Sequence, residues 1–142
     1  MPNVLGSTGT IEKALAHAAR LLQDNPALAA EQATEILKVL PNHPMARLLL
    51  GTARRTAGNP VAALEVLEPL AIEQPASAAA HYELGLALGE TGRHEAATAA
   101  LRNALALKPD MLDAWRAIGD QLTVAGDTEG ADAAYALSLI HI

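Results

Sequence analysis

The sequence predicts an all-α solenoid of about four helix-turn-helix units, and three observations carry that prediction. The first is a period of 34 residues. Pro41, Pro75 and Pro109 share it, as do Gly51, Gly85 and Gly119, and Gly58, Gly92 and Gly126. Ala63, Ala97 and Ala131 follow it too, with Leu50, Leu84 and Ile118, and Leu67, Leu101 and Tyr135. Columns that agree on one period of this length mark stacked supersecondary units. The second is composition. Half of the 142 residues are hydrophobic (51%), yet there is no Phe, one Trp and two Tyr, and Ala is abundant. Such a core suits closely packed helices and argues against sandwiches and barrels, which favour β-branched and aromatic residues. The third is the regular placing of Gly and Pro between the apolar stretches, where each helix must stop.

The elements follow in order. Residues 1–9 read as a leader; its Gly6-Ser7-Thr8-Gly9-Thr10 lacks the lysine and the preceding strand of a phosphate loop, and Thr8 or Thr10 is expected to cap the first helix. Helices are predicted over 10–24, 26–39, 44–57, 60–73, 78–91, 94–107, 112–125 and 128–139. Asn25-Pro26 and Asn59-Pro60 place a capping side chain ahead of a proline at the first helical position. Asp110 is expected to cap the seventh helix. Glu12, Asp113, Glu129 and Asp132 lie near helix starts, where a negative charge is favourable. Gly58, Gly92 and Gly126 fall where a helix ends in the left-handed region.

Mid-helix Gly51, Gly85 and Gly119 each cost roughly 1 kcal/mol against alanine. That cost is explained if another helix backbone passes close by, with Ala63, Ala97 and Ala131 at the same crossing. A single hairpin cannot bury its own apolar face, so each unit needs neighbours.

These residues resemble the tetratricopeptide repeat family. The matching positions are Arg47, Leu50-Gly51, Arg54, Ala63, Leu67, Leu70 and Pro75 in the unit 44–77, and His81, Leu84-Gly85, Leu88, Ala97, Leu101, Ala104 and Pro109 in 78–111. In the incomplete unit 112–142 they are Trp115, Ile118-Gly119, Leu122, Ala131 and Tyr135. The unit 10–43 diverges, with Ala16-His17 where Leu-Gly is expected, but keeps Ala29, Ala33, Ile36 and Pro41. The resemblance implies a right-handed α-solenoid whose concave face, lined by the first helix of each unit, holds a protein or peptide partner. Carried over by register, that face holds Met45, Leu48, Thr52, Arg55 and Thr56, then Ala79, Tyr82, Leu86, Gly89 and Glu90, then Asp113, Arg116, Asp120, Thr123 and Val124. Arg55, Tyr82, Leu86, Glu90, Arg116 and Asp120 are the expected groove residues. The carboxylate clamp of the family's chaperone-binding members is missing, because Leu48, Thr52 and Glu83 occupy its positions.

The remaining chemistry is sparse. No cysteine means no disulfide or thiolate chemistry. None of His17, His43, His81, His94 and His141 pairs with another at ligand spacing on one helix face, so no metal and no cofactor is expected. No nucleophile elbow or carboxylate pair stands out, so this chain is expected not to be an enzyme. Trp115 and Tyr135 occupy aromatic positions of the family and are expected to be structural. The net charge of −6 disfavours nucleic acid, whose affinity rests on basic side chains. It lies entirely in the second half: residues 1–71 hold six basic and six acidic side chains, and residues 72–142 four and ten. No stretch reaches the roughly 18 apolar residues of a membrane span and no secretory signal opens the chain, so no membrane association and a cytoplasmic location are expected.

Two function classes remain. One is an interaction module without chemistry of its own. The other is the amino-terminal fragment of a larger bacterial sulfotransferase with its catalytic domain beyond residue 142. The latter resemblance rests on Ala16-His17-Ala18-Ala19-Arg20-Leu21-Leu22, Leu50-Gly51-Thr52-Ala53-Arg54-Arg55, Tyr82-Glu83-Leu84-Gly85-Leu86-Ala87-Leu88 and Ala125-Gly126-Asp127. Open solenoid ends also allow end-to-end self-association. The end, Leu137-Ser138-Leu139-Ile140-His141-Ile142, resembles a reading frame of a transposase-type sequencing adapter, so residues 137–142 are expected to be non-native; the alternative is a genuine apolar terminus that docks elsewhere. Ala134, Leu137 and Leu139 are expected to be exposed.

Overall fold

The computed structural model describes residues 8–140, and every regular element among them is a helix. They are α1 (Thr8–Asp24), α2 (Pro26–Val39), α3 (Pro44–Thr56), α4 (Pro60–Glu73), α5 (Ala78–Glu90), α6 (His94–Leu107), α7 (Leu112–Val124) and α8 (Thr128–Ser138). The ends agree with the sequence to within the one or two residues by which helix ends are defined. The chain divides into two compact units, Met1–Leu70 and Ala71–Ile142, with the boundary inside α4 just after Pro69.

In the first unit α2 packs on both α1 and α3. Ala18, Ala33, Leu49 and Leu50 form its core, with Leu15, Leu22, Ala30, Leu37 and Val66 packed around them. In the second unit α5 pairs with α6 and α7 with α8, while α7 also touches α6 and α5. Leu101, Leu105, Ala114, Ala117, Ile118 and Ala134 form that core, and Tyr82, Leu86, Met111, Trp115 and Leu122 lie half-buried against it.

The mid-helix glycines solve a different packing problem from the one expected. No helix backbone is the nearest neighbour; a side chain is. A Cβ on Gly51 would fall 2.6 Å from Leu67 Cγ, one on Gly85 2.7 Å from Leu101 Cγ, and one on Gly119 2.7 Å from Tyr135 Cδ1. Two of the 34-residue columns therefore explain each other: the second helix of each pair pushes a large side chain into a hole that glycine leaves in the first. At Gly85 a backbone atom is also among the nearest, the Ala97 carbonyl oxygen at 3.2 Å. In the divergent first pair the sizes are exchanged. Ala33, at the register of Leu67, is wholly buried (0% exposed) and needs no hole, and His17, at the register of Gly51, is exposed.

The turns repeat as closely as the core. Gly58, Gly92 and Gly126 have φ of 92°, 85° and 85°. The amide after each glycine returns to the helix it leaves: Asn59 N to Arg54 O, Arg93 N to Leu88 O and Asp127 N to Leu122 O, all at 2.9 Å. The glycine amides bond Arg55 O, Gly89 O and Thr123 O. This pattern satisfies carbonyls left open at the helix end.

The caps agree in part. Asn25 Oδ1 accepts from Leu28 N at 3.1 Å and Asn59 Oδ1 from Ala62 N at 3.2 Å. Three further side chains cap helices: His43 Nδ1 accepts from Ala46 N, Ser77 Oγ from Ala80 N and Asp127 Oδ1 from Gly130 N. Ser and Asp are ordinary capping residues, and only the histidine carries no sequence signal. Asp110 does not cap α7. Met111 holds that position, its carbonyl accepting the first helical bonds, and it makes no side-chain cap; Asp110 sits one residue too early. Glu12 and Asp132 lie past the first turns of α1 and α8. Ala134 is buried (3% exposed), contrary to expectation, because it turns toward the α7 side of the core; Leu137 and Leu139 are exposed as expected. The leader before Thr8 and the final His141-Ile142 lie outside the described residues.

Candidate functional site

Five of the six expected groove residues stand on α5 and α7, the neighbouring first helices of the second unit. Arg55 stands on α3 of the first unit, half-buried and already partnered. Helical spacing puts Tyr82, Leu86 and Glu90 on one stripe of α5, and Asp113, Arg116 and Asp120 on one stripe of α7.

The apolar pair is partly committed to the fold. Tyr82 and Leu86 lie half-buried against the core of the second unit, so each presents only its outer part to a partner. Of the charged residues, Glu90 is exposed at the end of α5 and has a partner of its own. Arg116 Nη2 donates to Asp113 Oδ1 on the same helix, with both side chains well exposed. Such a pair holds its geometry weakly, so the guanidinium can change partners.

Asp120 is tied more specifically. It accepts from the Tyr135 hydroxyl at 2.7 Å, and that oxygen lies 3.4 Å from Thr123 Oγ1. Tyr135 is the side chain that fills the hole at Gly119. A Leu at this register, as in the other two units, could not reach a carboxylate. The hydrogen bond to Asp120 raises the Tyr135 pKa above its ordinary 10.0.

Sequence reasoning missed a neighbouring feature. Tyr82, Met111 and Leu112 floor an open depression of about 490 Å³, rimmed by Lys108, Asp110 and Asp113. No sequence signal marks it, because it needs the turn before α7 to fold back beside α5. The histidines have local structural contacts: His43 caps α3, His81 Nε2 lies 2.9 Å from Pro75 O, and His94 Nδ1 lies 2.6 Å from Gln121 Oε1. Among the described residues no three His, Cys, Asp or Glu side chains gather as a metal site, and no helix is long and apolar enough to cross a membrane.

The sequence family described as tetratricopeptide repeat matches residues 9–78, 49–101 and 82–140. No curated protein matches the chain. In structure it is similar to MamA 41-end from Desulfovibrio magneticus RS-1, with a TM-score of 0.80 and 26% identity, over 90% of this chain and 73% of that one. It is also similar to the MamA RS-1 ArsTM double mutant, with a TM-score of 0.79 and 25% identity, over 94% and 75% of the two chains. A further crystal structure of MamA gives a TM-score of 0.78 and 23% identity, over 91% and 76%. The fold class is thus an all-α solenoid of paired helices.

Proposed function

We propose that this chain, which belongs to the tetratricopeptide repeat family, acts as a protein-interaction module that binds a peptide or protein segment along its first helices. One observation carries the reading. The core of each of the three later helix pairs is closed by a large side chain set into a glycine hole, and this leaves α5 and α7 with outward residues of mixed character. Tyr82 and Leu86 offer partial apolar surface, and Glu90, Arg116 and Asp120 offer charge. Helical arrays bind by presenting such surfaces, without a cofactor. In the first unit by itself, Arg55 on α3 offers charge of the same kind. The sulfotransferase-fragment alternative gains no support from the comparisons, and no contact in the structure favours it.

The test uses a photo-crosslinking residue at exposed Ala79 on α5 or exposed Ala106 on α6. A partner should be captured from the first position and not from the second. Arg55→Glu and Arg116→Glu should weaken capture. Capture that ignores both charge reversals rejects the face assignment.

A further inference from the structure

We propose that the α5–α7 face of the second unit docks a cationic, extended segment carrying one apolar anchor residue. The inference rests on the interaction-module reading and adds the chemistry of the partner.

The boundary between the compact units also divides the charge. Met1–Leu70 holds six basic and six acidic side chains, whereas Ala71–Ile142 holds four and ten. Nine of those ten acids are exposed. A surface with one sign in excess raises the local concentration of oppositely charged ligands and speeds their arrival.

The depression beside Tyr82 converts that general attraction into a place. Its floor of Tyr82, Met111 and Leu112 is half-buried and apolar, and its volume of about 490 Å³ accepts a side chain. On its rim Asp110 is exposed and makes no ion pair among the described residues, and Asp113 engages Arg116 only through an exposed pair. Along α5, α7 and the turn 108–111, the acids Glu83, Glu90, Asp110, Asp113 and Asp120 outnumber two bases, Lys108 and Arg116. An anionic segment would meet this excess as repulsion, and a neutral one would gain only the apolar floor. A cation next to an apolar residue satisfies both.

The probes are three synthetic peptides of equal length: one of lysines around a central leucine, one with glutamates in place of the lysines, and one of lysines with glycine in place of the leucine. Binding to the full chain is read by fluorescence anisotropy, and the contact is mapped by hydrogen exchange. The lysine–leucine peptide should bind about tenfold more tightly than either other peptide, weaken with added salt and protect α5 and the start of α7. Asp110→Asn with Asp113→Asn should weaken it about fivefold, the effect of two exposed ion pairs; Asp132→Asn, an exposed acid on α8, should not.

Equal weakening by Asp132→Asn would overturn the site, because the attraction would then be diffuse. Absence of binding, or protection elsewhere, would overturn it as well. If the glutamate peptide protects the same face, the charge assignment falls and the module reading stands. The module reading fails separately, when no partner is captured from Ala79.

Discussion

Gly85→Ala tests the packing on which the whole reading of the array depends. In an unobstructed helix interior the change should stabilise by about 1 kcal/mol. Here the new Cβ would lie 2.7 Å from Leu101 Cγ, 2.9 Å from its Cδ2 and 3.2 Å from the Ala97 carbonyl oxygen. Carbon atoms are comfortable at about 3.5–4.0 Å, so the overlap with the leucine approaches ~1 Å. Leu101 cannot swing into solvent, since it is wholly buried. Overpacking of this kind costs about 1–3 kcal/mol, and set against the propensity gain it leaves a net loss of about 1 kcal/mol.

The decisive measurement is a double-mutant cycle with Leu101→Ala. That variant alone should lose about 2–5 kcal/mol. In its background Gly85→Ala should change sign and stabilise by up to about 1 kcal/mol, because the side chain that filled the hole is gone. The coupling is then about 2 kcal/mol, within the range for contacting residues. Urea titrations of the four proteins followed by circular dichroism supply the numbers. If Gly85→Ala has the same effect in both backgrounds, the glycine does not exist to receive Leu101.

Four further outcomes follow from the same structure. Gly92→Ala should destabilise by about 1 kcal/mol and Gly92→Asn by less, since a Cβ there meets no atom within 4 Å and only its φ of 85° resists the alanine; thermal melts compare the two. Asp127→Ala should remove about 1 kcal/mol of helix capping, while Asp110→Ala should leave stability unchanged, because only Asp127 bonds an open amide. In a Tyr82→Phe background, ultraviolet titration should show Tyr135 ionising above its ordinary 10.0, and Asp120→Asn should bring it down. The sign is fixed: the folded state keeps the phenol proton longer, so this contribution is complete below pH 10 and is lost as pH rises through the folded-state value. Finally, Ala33→Leu should destabilise by about 1–3 kcal/mol, and His17→Gly should relieve part of that loss.

The fold was legible because its determinants recur. Pro75, Gly92 and Gly85 each act through their own backbone or through one contact 34 residues in register with its copies, so periodicity exposed them. The identity of the contact was not legible. Leu67, Leu101 and Tyr135 formed a visible column, as did the glycines, but nothing in one dimension says that one column fills the other. Asp110 looked like a cap because capping residues sit just before helices, and the true boundary lay one residue on. The link from Tyr135 to Asp120 was hidden because it spans two helices and depends on the phenol standing where two other units carry leucine. The depression at Tyr82 was hidden for a related reason: its six lining residues come from two separate stretches of chain.

The same contrast explains how such an array can serve different partners on one fold. At equivalent registers of successive first helices stand Met45, Ala79 and Asp113, then Leu48, Tyr82 and Arg116, then Thr52, Leu86 and Asp120. An apolar residue, an aromatic one and a cation occupy one register without disturbing the period, because none of these positions fills a glycine hole or turns a helix end. The core columns tolerate little: Gly51, Gly85 and Gly119 admit no larger residue unless the opposing side chain shrinks, as it does at Ala33. Stability therefore rests chiefly on the core and turn columns and recognition on the outward registers, with Tyr82 and Leu86, half-buried against the core, serving both. Most of the acidic surplus of the second unit is exposed and belongs to the second group, whereas Asp127, which caps α8, belongs to the first. Neutralising Asp110 should therefore alter what the chain binds while leaving its melting transition in place, whereas neutralising Asp113 also removes a first-turn charge of α7 and its pair with Arg116 and should lower that transition slightly.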